Sequence, residues 1–146
     1  MSLSATVALS SWYQDNHSYS KQGTLRGLHY QVDKPQGKLV RVVRGIIFDV
    51  AVDVRQGSAS YGKWVGQFLS EENGDQMWIP PGFAHGFYVL SEGADVLYRC
   101  SDYYSPAGEC GFRWNSPELA ITWPMLADTP VLLSDKDATA PLFPPF

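Results

Sequence analysis

No run of lysines and arginines occurs in this chain, and its 11 basic residues are outnumbered by 15 acidic ones. A net charge of -4 offers no stripe able to displace the counterions of a nucleic acid, so that class of partner is excluded. No apolar stretch reaches the length that crosses a bilayer, and no charged-then-apolar leader opens the sequence. No membrane association and a cytoplasmic location are therefore expected.

Cysteine is nearly absent. Cys100 and Cys110 stand in neither metal-type nor redox-type spacing, so unpaired thiols of a reducing compartment are expected, with a bridge across the intervening turn as the alternative. Histidine is scarce as well, with three in the chain. Metal sites in β-barrels commonly use two histidines one residue apart with a carboxylate and a third histidine. Here Tyr30 and Gln31 follow His29, His85 has no histidine close in sequence, and His17 reads as part of a polar turn. Neither a metal nor another cofactor is expected.

What is present is β-forming sequence. At 45% hydrophobic and 14% aromatic, the 146 residues suit one folded domain with its own core, spanning 1–146. The segment 38–44 is β-branched and lies between Gly37 and Gly45. In 46–54, Val50, Val52 and Val54 alternate with Asp49, Ala51 and Asp53. That period of two predicts a strand with one buried face. Shorter strands are predicted at 62–69, 76–79, 86–90 and 95–101, separated by Gly, Pro, Asn and Ser clusters. Strand signals at spacings of roughly ten residues indicate an all-β sandwich or barrel. Only 117–120 and 134–137 read as short helical turns, the second with Ser134 able to cap it. The proline-rich tail, 141–146, is expected to run extended over the surface.

The chemistry-bearing residues each admit two readings. His29 is either a core histidine tied to a backbone carbonyl or a proton-transfer group. Arg26 precedes it by three residues, and Lys38 and Arg41 follow on the next strand. Cations beside an imidazole favour its neutral, basic form. Lys38 and Arg41 have opposite parity, so if Val40 and Val42 line the interior, Lys38 shares their side. A lysine there either serves a site or reaches water at the strand's open end. His85, between a Pro-Pro-Gly turn and a strand, binds a phosphate or fills space. Tyr98 by default is a core tyrosine with its hydroxyl at the rim, and Asp137 a solvated turn residue.

Several runs settle these alternatives by resemblance. They are Tyr13-Gln14-Asp15-Asn16-His17-Ser18, Leu25-Arg26-Gly27-Leu28-His29-Tyr30-Gln31, Gln36-Gly37-Lys38-Leu39-Val40-Arg41 and Phe48-Asp49-Val50-Ala51-Val52-Asp53. Trp78-Ile79-Pro80-Pro81-Gly82-Phe83-Ala84-His85-Gly86-Phe87, Leu97-Tyr98, Asp102-Tyr103-Tyr104-Ser105-Pro106 and Ser134-Asp135-Lys136-Asp137 complete the set. In this order, over about residues 12 to 142, they resemble the dTDP-4-dehydrorhamnose 3,5-epimerase family. The resemblance implies a cupin-type jelly-roll barrel, a metal-independent homodimer, and inversion of C3 and C5 of a dTDP-linked 4-keto-6-deoxy sugar. It implies His29 as base, Asp137 as the carboxylate paired with it, Lys38 facing the C4 oxygen, and Tyr98 as acid on the opposite face. Gln14, Asp15, Asn16 and Arg26 would hold the nucleotide end, Arg26 through its bidentate fork. His85, Glu109 and Lys136 would complete the pocket, with Asp49 facing the same interior and Tyr103 or Tyr104 packed on sugar or base.

The pattern departs at the start. Family chains carry a Glu-Arg-Gly-x-Phe segment before the Gln-Asp-Asn-His run, whereas Met1 to Trp12 here do not match it. A weaker nucleotide site and a weaker dimer are expected. The alternatives are a mono-epimerase or ketoisomerase on the same substrate class, and a non-catalytic sugar-nucleotide-binding barrel.

Overall fold

The computed structural model describes residues 14–33, 35–101 and 108–144, with Gln14 described by its backbone alone. Among these residues nine strands and one short helix form: β1 (Gln14–Lys21), β2 (Leu25–Gln31), β3 (Lys38–Arg44), β4 (Ile46–Asp53), β5 (Trp64–Ser70), β6 (Gln76–Ile79), β7 (Phe83–Val89), β8 (Gly93–Cys100), β9 (Glu109–Gly111) and α1 (Asp135–Ala138). They build two antiparallel sheets, ordered β1-β8-β3-β6 and β5-β4-β7-β2-β9. This is the double-sheet jelly roll expected. Met1 to Trp12, with Tyr103 and Tyr104, lie outside the described residues.

The inner faces of the two sheets enclose one core. Val40 and Val42 of β3 and Val96 of β8 pack against Ile47 and Ala51 of β4 and Phe87 and Val89 of β7. By parity, Lys38, Tyr98, Asp49 and His85 belong to the same interior, at its more open end. A second core lies on the outer side of the five-stranded sheet. There Leu25, Leu28, Phe48, Val50 and Val52 are covered by Leu119, Trp123 and Phe143.

That second core overturns two expectations. β4 is buried on both faces, not one, because residues far along the chain roof the face that local alternation leaves open. The tail does not simply cross the surface. Phe143 is 1% exposed, packs against Phe112 and Tyr61, and donates its N–H to Ser116 Oγ.

Other corrections are local. His17 lies in strand β1, not in a turn, and its Nε2 pairs with Asp95 across β8. β7 begins at Phe83, so His85 lies inside it. None of β1, β2 and β9 is among the predicted strands. Residues 117–120 make a turn and not a helix, while α1 forms where Ser134 predicted it, with Ser134 Oγ accepting from the Asp137 N–H. Cys100 and Cys110 are both free thiols.

Candidate active site

The register of β2 slips between Arg26 and His29. Gly27 makes the slip possible. Its φ of +125° suits glycine, and a Cβ there would lie 2.6 Å from the Gly86 Cα. The irregularity lets Leu25 and Leu28 both face the outer core while His29 turns to the barrel interior.

There His29 Nε2 lies 2.6 Å from Oδ1 of Asp137. The Asp137 Oδ2 accepts the Gly27 N–H at 3.1 Å, and Ser134 caps the helix that carries Asp137. The carboxylate is 4% exposed, so the sequence default of a solvated turn residue is wrong. Burial pushes the Asp137 pKa up, but the bond and charge of His29 and the Gly27 N–H outweigh it and leave it below the usual carboxylate value.

Tyr98 and Lys38 come from the other sheet. Both line a cavity of about 330 Å³ with His29, Asn16, Phe83 and Glu109. A second cavity of about 250 Å³ shares His29, Lys38 and Tyr98 and adds Arg26, His85, Lys136 and Asp137. The Lys38 ammonium lies 5.9 Å from the centre of the Tyr98 ring. Burial lowers the Lys38 pKa, opposed by Cys100 and Asp49. Burial raises that of Tyr98, so its phenol keeps its proton beyond the ordinary range. Beneath them His85 Nε2 meets Asp49 Oδ1 at 2.6 Å.

The binding candidates divide. Asn16 lines the first cavity, its amide donating to Cys100 Sγ. Arg26 lines the second and is exposed, steadied by a 2.9 Å bond to Ser20 Oγ. Glu109 and Lys136 form an ion pair between the two cavities. Asp15 lines neither; it points to solvent and pairs with Arg99. Adjacent strand residues face opposite ways, so Asn16 and Asp15 were never able to share the pocket through their side chains. Gln14 is placed by its pairing with Cys100. The sequence reading missed Tyr30, Gln31, Gln36, Phe83 and Cys100 as cavity walls. Parity from Lys38 and Tyr98 marks the inner sides of β3 and β8, and Cys100 shares the Tyr98 parity. Among the described residues, no three His, Cys, Asp or Glu side chains gather as a metal site.

The sequence model for dTDP-4-dehydrorhamnose 3,5-epimerase matches residues 2–144 of this chain. The chain belongs to that family. Within the epimerase family it is 58% identical to dTDP-4-dehydrorhamnose 3,5-epimerase of Pseudomonas aeruginosa over 133 residues, 91% of this chain and 72% of the relative. Its structure resembles dTDP-6-deoxy-D-glucose-3,5-epimerase of Legionella pneumophila, solved in complex with dTDP-4-keto-L-rhamnose. The TM-score is 0.90 at 51% identity, covering 97% of this chain and 77% of that one. It also resembles ChmJ, a 3'-monoepimerase of Streptomyces bikiniensis solved with dTDP-quinovose. There the TM-score is 0.83 at 37% identity, covering 90% and 66%. The family and the jelly roll expected from the motifs are both borne out.

Proposed function

We propose that this protein is a sugar-nucleotide epimerase that inverts C3 and C5 of a dTDP-4-keto-6-deoxyhexose, as in dTDP-L-rhamnose synthesis. The observation that carries the reading is His29 of one sheet, paired with Asp137 of α1, facing Tyr98 and Lys38 of the other sheet.

A hydrogen on carbon beside a ketone is weakly acidic. Its removal needs a base, and the enolate oxygen needs a positive partner. His29 takes the proton from C5 or C3, and the C–H electron pair moves into the ring as the C4 carbonyl becomes an enolate. Asp137 holds the imidazole by one nitrogen and stabilises the imidazolium. Lys38 meets the charge on the C4 oxygen. Tyr98 then returns a proton to the same carbon from the opposite face, and the carbonyl reforms with inverted configuration. Solvent reprotonates Tyr98 and takes the proton from His29 before the second carbon reacts.

Arg26 suits the pyrophosphate, with Asn16, Lys136 and Glu109 bordering the nucleotide end. The two free thiols suit a cytoplasmic enzyme. A homodimer belongs to this reading, as the family resemblance implies. Light scattering on the purified protein is expected to give twice the chain mass.

Incubation with dTDP-4-keto-6-deoxyglucose in deuterated water is expected to place deuterium at C3 and C5. His29→Ala is expected to abolish both. A variant that exchanges as fast as the parent removes His29 as the base. The likeness to a 3'-monoepimerase favours a second reading, inversion at C3 alone, which product stereochemistry separates from the first.

A further inference from the structure

β4 carries a carboxylate that the mechanism above leaves unused. Asp49 is fully buried on the barrel side, where a charge persists only when paired. It sits diagonally across from His85 on the neighbouring strand β7, since Ala51 is the residue opposite His85. Asp49 Oδ1 meets His85 Nε2 at 2.6 Å, while its Oδ2 has no hydrogen-bond partner among the described residues.

A carboxylate only accepts, so the hydrogen of this contact sits on His85 Nε2. The charged and titratable groups facing the ring are Asp49 from β4, Lys38 from β3 and His29 from β2. Burial disfavours the imidazolium, Asp49 opposes that, and Lys38 and His29 add to it. The outcome is a ring held below its ordinary pKa and neutral. A neutral imidazole with hydrogen on Nε2 has only a lone pair at Nδ1.

We propose that Asp49 is a positioning residue that holds His85 as its Nε2–H tautomer, so that the ring presents an acceptor, Nδ1, to a hydroxyl group of the bound sugar. This rests on the sugar-nucleotide reading above and adds the polarity of the contact at His85. The two neighbours in the cavity then divide their work. Lys38 has only hydrogens to give and suits the ketone oxygen. His85 has only a lone pair to give and suits an adjacent hydroxyl. A site built this way discriminates against analogues that lack that hydroxyl, because the buried nitrogen is then left unpaired.

Nitrogen-15 NMR of histidine-labelled protein tests it, with signals assigned through His17→Gln and His29→Gln. At neutral pH His85 is expected to show a pyrrole-type Nε2 and a pyridine-type Nδ1. In Asp49→Asn the carboxamide is able to donate to Nε2, and the tautomer is expected to reverse or mix. Asp49→Glu keeps a carboxylate and is expected to keep the parent pattern. Loss of one such contact corresponds to a rise of about 10-fold in KM in Asp49→Asn, with kcat changed much less. A protonated Nδ1 in the parent overturns the proposal, and that measurement does not depend on any variant folding. So does an unchanged tautomer in folded Asp49→Asn. A parent that shows the Nε2–H tautomer yet exchanges no deuterium overturns the epimerase reading and leaves the assignment of Asp49 standing.

Discussion

His29 and His85 stand directly opposite each other on β2 and β7, yet each turns its Nε2 to a different carboxylate, Asp137 and Asp49, at the same 2.6 Å. Their exposures separate them. The His29 side chain is 27% exposed and that of His85 is 8%. A base that cycles protons with substrate and solvent needs access, and His29 has it. The less exposed pair, whose ring still borders the second cavity, is suited to a fixed hydrogen-bond pattern. In the proposed reading these two histidine–aspartate pairs have different uses, and burial decides which is which.

Tyr98→Phe is expected to separate exchange from inversion. Without the phenol, His29 still removes a proton and returns one to the face it came from. Deuterium therefore continues to enter the sugar while epimer formation falls by about 10²–10⁴-fold, the usual worth of a positioned acid. Mass spectrometry of the sugar beside chromatography of the epimers reads both quantities. Equal loss of the two signals assigns Tyr98 a different task.

Much of this site was legible in the chain. Lys38 shares parity with Val40 and Val42, which put its side chain on the inner face of β3 once those valines were known to line the core. Tyr98 read by itself as a core tyrosine, and only the motif resemblance made it a site residue. The motif resemblance named His29 and Asp137, but nothing local showed their contact, because 108 positions separate them and the helix that carries Asp137 has four residues. Asp15 shows what the resemblance leaves out: it was taken together with Asn16, whereas strand parity turns its side chain away from the cavity that Asn16 lines. The outer core was hidden as well. A single strand's alternation reports one sheet face against local water, and Trp123 and Phe143 reach β4 only through tertiary packing.

The alkaline limb of the rate profile should belong to Lys38. Its folded pKa lies below the ordinary lysine value of about 10.4, whereas that of Tyr98 lies above its own ordinary value. As pH rises, the ammonium discharges first and the enolate loses its partner. Activity is expected to fall as pH rises through this depressed lysine value, earlier than an ordinary lysine would discharge. Lys38→Arg keeps its charge throughout, since a guanidinium does not titrate in this range. That variant is expected to be slower and to lose the limb, and a limb that persists assigns the titration elsewhere.

Phe143→Ala tests whether the tail is part of the core. The ring is 1% exposed and stacks edge-on to Phe112 at 4.9 Å between centroids. Its removal leaves a cavity beneath residues that also roof β4. A loss of about 3–5 kcal/mol is expected from urea unfolding. Leu142→Ala, at a neighbouring position that is half exposed, is expected to change little. Comparable losses at the two positions contradict a buried anchor at Phe143.

Acid stability should rest in part on Asp53 at the end of β4. Its carboxylate accepts from the Arg55 guanidinium, from Ser58 and from Ser60. The Arg55 bonds, with burial opposing and the serines assisting, hold its pKa far below the usual carboxylate value. A depressed folded pKa contributes stability that is present above the unfolded value, about 3.9 for aspartate, and drains away as pH falls below it. The unfolding midpoint of the parent is therefore expected to drop steeply on acidification below that value. Asp53→Asn carries no such charge, so it starts less stable at neutral pH and shows a shallower acid slope. The same guanidinium lies 5.1 Å from the centre of the Phe83 ring, a wall of the cavity. Loss of the Asp53 contact is thus expected to raise KM as well, and parallel acid slopes in parent and variant would show that this carboxylate carries none of the effect.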